Sequence, residues 1–184
     1  MKYNFDKIID RRGSNSEKWD ALETLFGSAD LLSMWVADMD FPCGDFITEA
    51  LQERIKHHFY GYTFPGESLL EAVIEKAERD YGWKIQKEWI LFSNGVVDGA
   101  YNAIKAVTNG IENPGIIIQP PVYYPFFNII KKNDCCIVEN PLLYKDGKYS
   151  IDFEHYEACF KKNPLGLNPQ ALLLCSPHNP VGRV

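Results

Sequence analysis

Long apolar runs are missing from this 184-residue chain. No stretch reaches the roughly 18 uncharged apolar residues that a membrane-spanning helix needs. The opening Met1-Lys2-Tyr3-Asn4-Phe5-Asp6 also lacks the apolar core of a secretory signal, so the expected compartment is the cytoplasm, with no membrane partner. A basic excess is missing too. With 19 Lys and Arg against 25 Asp and Glu, the net charge is -6, which leaves no positive face for a phosphate backbone and makes nucleic acid an unexpected partner. The five cysteines (Cys43, Cys135, Cys136, Cys159, Cys175) are an odd number without a C-x-x-C pair. Reduced, buried thiols are expected, not metal ligands or disulfides. Repeats, low-complexity tracts and charge blocks are absent, as are Gly-x-Gly-x-x-Gly and Gly-Lys-Ser/Thr, which excludes the dinucleotide fingerprint and the Walker loop.

What is present is an alternation of periods. Composition, 46% hydrophobic and 24% charged, fits one ordinary globular core. Residues 1–44 read as irregular, with Ser14 and Glu17 as a capping box for a short helix. Residues 45–184 read as regular. Asp45 is placed to cap a helix that carries Ile47, Ala50, Leu51 and Ile55 on one face and ends near His58. Ser68 and Glu71 suggest a second capping box before a helix burying Leu70, Val73, Ala77 and Tyr81. Strand-type runs at Trp89–Phe92, Gly115–Gln119, Cys135–Glu139 and Ala171–Cys175 alternate with helical patterns. These patterns place Val97, Ala100, Ile104 and Val107 on one stripe, and Phe127 and Ile130 on another helix running from Tyr124 to Lys132. Asp146-Gly147 marks a turn, and Asp152 is placed to cap a helix to about Lys161. Continuous apolar strands separated by amphipathic helices predict an α/β fold, a mainly parallel sheet with helices on both faces.

In such sheets ligands sit at the carboxyl ends of strands, which singles out three places. At Ser93-Asn94-Gly95-Val96-Val97 a glycine opens a helix, whose free N–H groups and dipole favour a phosphate, although a lone glycine there is more often an ordinary βα turn. At Pro121-Val122-Tyr123-Tyr124 an aromatic ring could stack on a planar heteroaromatic ligand or simply line the edge of the core. At Ser176-Pro177-His178-Asn179-Pro180-Val181-Gly182 a rigid turn is expected to aim polar side chains into the same cleft, with a lone histidine more often structural than catalytic.

Taken in order, these motifs resemble a known family. Asn179-Pro180-Val181-Gly182 is similar to the Asn-Pro-x-Gly signature of fold-type I pyridoxal 5'-phosphate (PLP) enzymes, the class I/II aminotransferases and their lyase relatives. The resemblance implies that Asn179 donates to the 3'-oxygen of PLP, that Tyr123 stacks on its ring, and that the backbone of Gly95, Val96 and Val97 holds its phosphate. Tyr62, in Gly61-Tyr62-Thr63, resembles the tyrosine that reaches the phosphate of a neighbouring subunit, which implies a homodimer. Met34-Trp35-Val36-Ala37-Asp38-Met39-Asp40-Phe41-Pro42 closely resembles a segment of the cystathionine β-lyase branch, where the backbone around Ala37 would bind the α-carboxylate of an amino-acid substrate. The implied division is an N-terminal arm and substrate loop over residues 1–44 and a partial PLP-binding large domain over residues 45–184.

The implied chemistry is a carbon–sulfur β-elimination that yields a thiol, pyruvate and ammonia. An aminotransferase shares every cofactor contact and is the alternative within enzymes. A non-catalytic PLP-binding or phosphate-binding regulatory protein is the alternative outside them. In the family the Schiff-base lysine follows Asn-Pro-x-Gly, and no Ser-x-x-Lys occurs in this sequence. No catalytic residue is therefore identifiable, no metal ligand is expected, and the chain is expected to be a fragment of a longer enzyme, inactive alone and prone to aggregate.

Overall fold

Three consecutive isoleucines, Ile116, Ile117 and Ile118, have no exposed surface, and a strand hides both faces only inside a covered sheet. The computed structural model describes residues 3–161 and 166–184; Met1 and Lys2, at the head of the expected arm, lie outside the described residues. The chain divides into two units, one up to Pro65 and one from Gly66 to Val184.

The first unit carries helices α1 (Glu17–Asp20), α2 (Leu22–Phe26) and α3 (Asp45–Ile55). Ser14 does not cap α1. Its hydroxyl donates to the Arg11 carbonyl at 2.6 Å, while the Asp20 carboxylate accepts the backbone N–H groups of Gly13 and Ser16 at 2.8 and 2.9 Å. An acid at the end of the short helix thus ties down the loop before it. In α3, Gly44 holds the cap position and Asp45 is already helical, and the helix stops at Ile55 before His58 turns left-handed at φ +57°. Its apolar face is exposed at Ile47, Leu51 and Ile55. α3 is tied at both ends to its own flanks. Cys43 Sγ lies 3.5 Å from Thr48 Oγ1, and the Tyr60 hydroxyl donates to the Ile55 carbonyl at 2.9 Å.

The second unit opens with α4 (Glu67–Tyr81). Gly66 occupies its cap position and Ser68 falls inside the first turn, so the expected Ser68–Glu71 box does not form. Ala77 is buried, Leu70 and Val73 are half-buried, and Tyr81 is exposed. At Trp89–Phe92 the expected strand is replaced by a 3₁₀ turn over Lys87–Trp89 followed by unpaired backbone. No described strand lies alongside, and an apolar run becomes a strand only with a ladder to join.

There follow α5 (Val96–Thr108), β1 (Pro114–Ile118), α6 (Pro125–Lys132), β2 (Cys136–Glu139), β3 (Leu143–Lys145), β4 (Lys148–Ser150), α7 (Phe153–Lys161) and β5 (Asn168–Leu172). β1 is central in a parallel sheet of order β2-β1-β5, with Ile116 opposite Ile137 on one side and Ala171 on the other. β5 ends earlier than its apolar run suggests because its partner β1 stops at Ile118, leaving Leu174 and Cys175 beyond the ladder. Ile116 and Ile118 face Ile104 of α5 and Phe126, Ile129 and Ile130 of α6. Ile117 points the other way by strand period. β3 and β4 form an antiparallel hairpin through Asp146 and Gly147, both at positive φ, the geometry of a two-residue turn. The Asp152 carboxylate caps α7, accepting the His155 N–H at 2.9 Å.

All five cysteines are free, but only Cys135 is buried and Cys43 is exposed, which corrects the expectation of burial. Among the described residues no helix is long and apolar enough to cross a membrane, and no group of three or more His, Cys, Asp or Glu is placed to hold a metal.

Candidate active site

β1 is the strand at which the connections part. From it α6 leads to β2 on one side, and the chain returns through the hairpin and α7 to β5 on the other. The crevice beyond the carboxyl ends of two such strands is the place where α/β sheets bind ligands. A cleft of about 450 Å³ opens there, lined by Gly95, Val96, Val97, Tyr123, Ser176 and Asn179 among others. Its volume falls in the range of small-molecule sites, roughly 300–1,000 Å³.

Each wall has a local cause. Gly95 adopts φ +152° and ψ 168°, a region open essentially to glycine, and no atom lies within 4 Å of where a Cβ would stand. The first turn of α5 carries no side-chain cap, so its N–H groups remain available to an anion. Tyr123 is half-buried, its ring edge-on to Phe126 at 5.9 Å between centroids and tilted against Tyr124 at 5.6 Å. It therefore packs on the core and lines the cleft at once. Asn179 is exposed, and its backbone N–H donates to Cys175 Sγ at 3.2 Å. No lysine lines the cleft among the described residues.

His178 corrects the expectation that the turn aims all its polar side chains into this cleft. It is buried and lines a separate cavity of about 350 Å³ with Gln119, Leu142 and Phe153. Its Nε2–H donates to the Gln119 carbonyl at 3.2 Å. The Gln119 amide donates to Asn140 Oδ1 at 3.0 Å, and Asn140 donates on to the Asp152 carbonyl at 3.1 Å and to His155 Nδ1 at 3.2 Å. Buried polar groups need such partners, and this chain of donors joins the carboxyl ends of β1 and β2 to the turn after β5. Gln119, Asn140 and His155 carried no motif by which sequence could single them out.

Ala37 and Tyr62 belong to the first unit, and both are exposed. The segment around Ala37 is held by residues that sequence reading passed over. Lys18, buried, donates to Asp40 Oδ2 at 2.7 Å and to the Asp38 carbonyl at 2.8 Å. The Trp19 indole donates to Asp40 Oδ1 at 2.8 Å, and Arg11 donates to the same oxygen at 2.7 Å and pairs with Asp38. These bonds, from Lys18 first and then Trp19 and Arg11, hold the Asp40 carboxyl well below the usual carboxylate range. The two carboxylates in turn push the Arg11 guanidinium above its ordinary value. The partners stand 20 or more positions apart in sequence, so no local spacing betrays them.

The family model for aminotransferase class I and II matches residues 30–184. This chain belongs to that family. Within it, the chain is 46% identical to cystathionine beta-lyase PatB of Bacillus subtilis over 98% of its own length and 45% of that enzyme's. Among solved structures, cystalysin of Treponema denticola, which contains pyridoxal 5'-phosphate, superposes with a TM-score of 0.89 at 39% identity, covering 100% of this chain and 46% of that one. The PLP-bound C-S lyase of Staphylococcus hominis gives 0.87 at 32% identity, covering 100% and 45%. The aminotransferase-family fold is therefore shared over all of this chain, which spans about half the length of these relatives.

Proposed function

We propose that this chain is the N-terminal, cofactor-binding part of a PLP-dependent carbon–sulfur β-lyase that cleaves cystathionine or a cysteine conjugate to a thiol, pyruvate and ammonia. One observation carries the cofactor part of this reading: Gly95–Val97, Tyr123 and Asn179, scattered over the sequence, line a single cleft at the strand ends; the lyase branch is supported by the 46% identity to cystathionine beta-lyase PatB. The cleft fits the cofactor on its own chemistry, since an uncapped helix start with an open glycine approach suits a phosphate and an aromatic face suits a pyridine ring. When bound, PLP supplies an electron sink that acidifies the substrate Cα–H. The chain's residues do the rest by position. The N–H groups at the start of α5 anchor the phosphate, Tyr123 fixes the ring plane, and Asn179 donates to the 3'-oxygen. Ala37 offers its backbone to the substrate α-carboxylate from the arm and substrate loop, residues 1–44, while residues 45–184 carry the cofactor contacts. Tyr62 acts in the partner of a cytoplasmic homodimer. The Schiff-base lysine comes from outside these residues, in keeping with a described cleft that no lysine lines.

The test is complementation. The chain is co-expressed with the remaining part of the Bacillus subtilis enzyme, and the purified pair is given PLP and L-cystathionine. Release of pyruvate with free ammonia is expected. Transfer of nitrogen to a 2-oxo acid without pyruvate would establish the aminotransferase instead. PLP binding without turnover of either kind would leave a non-catalytic binding protein.

A further inference from the structure

The segment Trp35–Asp40 is fastened at both ends and open in the middle. At its start the Trp35 indole donates to the Lys18 carbonyl at 3.2 Å, and its ring stacks edge-on against Phe26 at 5.4 Å. At its end the Lys18 ammonium grips Asp40 and the Asp38 carbonyl, while Arg11 reaches Asp38, the Met39 carbonyl and Asp40. Lys18 thus holds both ends, one with its backbone carbonyl and the other with its side chain, and it is buried on a short helix whose neighbour Ser33 also donates to that carbonyl at 2.6 Å. Between the fastenings no hydrogen bond from the described residues holds Val36 or Ala37, and Ala37 is exposed. A buried ammonium with two oxygen ligands is costly to disorder, because losing one partner leaves a charge unpaired. The span between two such points has few conformations open to it.

We infer that Lys18 and Asp40 are positioning residues that preset the Ala37 backbone for an anionic ligand, the substrate α-carboxylate under the function proposed above, on which the ligand's identity rests. The device resembles a bowstring: one end is fixed by a hydrogen bond and an aromatic contact, the other by charge, and the exposed centre is left open. Pre-organisation of this kind lowers the ordering cost of binding.

Limited chymotryptic cleavage over Trp35–Phe41, mapped by mass spectrometry, tests this on the chain co-expressed with the remaining part of the Bacillus subtilis enzyme and loaded with PLP, with and without excess L-cystathionine. Asp40→Asn and Lys18→Met are each expected to speed cleavage in that segment about tenfold while cleavage elsewhere is unchanged, and Lys18→Arg is expected to recover much of the resistance. A merely structural role would raise cleavage across the whole unit. Cleavage over Trp35–Phe41 equal to wild type in both variants, or a rise spread evenly through the chain, overturns the inference. The ligand arm separates the two readings. Resistance lost in the variants but unaffected by L-cystathionine in the wild type keeps the clamp and removes the carboxylate assignment, whereas resistance added equally by the ligand in wild type and variants keeps the assignment and removes the clamp.

Discussion

At the scale of single residues the chain shows two ways of placing a charge. The start of α5 presents neutral N–H groups around a glycine, so an anion can arrive without displacing an existing partner. Asp40 is the opposite case, a carboxylate already saturated by Lys18, Trp19 and Arg11. Because its pKa in the folded chain lies below the unfolded value, its contribution to stability is fully present above about pH 4 and is lost as pH falls through the folded value. The first unit should therefore loosen in strong acid. Following Trp19 and Trp35 emission from pH 6 downward, with Trp83 and Trp89 replaced by Phe, should show a transition that the further change Asp40→Asn removes; identical profiles would refute the assignment. That Gly95, Tyr123 and Asn179 line one cleft was legible in the sequence because each lies in a short motif at a strand's carboxyl end. Lys18 and Arg11 were not, since an ion pair across 20 or more positions has no spacing to read.

Elements were legible where their neighbours lie close in sequence. β1, α6 and β2 fall within two residues of the apolar patterns that forecast them, because each is completed by the next. The caps show how local signals compete. Asp152 does cap α7, but Ser14 and Ser68 lose their places, the first to Ser16 and the second to Gly66, where the helix starts two residues early. Asp152→Ala should destabilise the second unit by about 1 kcal/mol, the usual worth of an N-cap, read as a lower urea midpoint with unchanged slope. No change in midpoint would mean that α7 is held by packing alone. Trp89–Phe92 could not be placed from pattern, because whether an apolar run becomes a strand depends on a partner elsewhere in the molecule.

At the scale of the whole molecule, apolar surface is left uncovered in both units, at Phe46, Leu51, Phe59 and Phe64 in the first and at Leu91, Phe153 and Leu174 in the second. Large apolar side chains left in water in this number favour association. Sedimentation velocity across a hundredfold range of concentration should show the chain self-associating, and co-expression with the remaining part of the Bacillus subtilis relative should suppress it. A single monomeric boundary throughout would count against that. The order β2-β1-β5 also gives the cleft a history. On the ribosome β1, α6 and β2 emerge together and can pair at once, while β5 follows only after the hairpin and α7, about 2–6 s later at typical bacterial speeds. Until then the open helix start at Gly95 and Tyr123 exist without the turn that carries Asn179. The cleft is the last part of this chain to take shape, and its walls meet only after nearly all of these residues have left the exit tunnel.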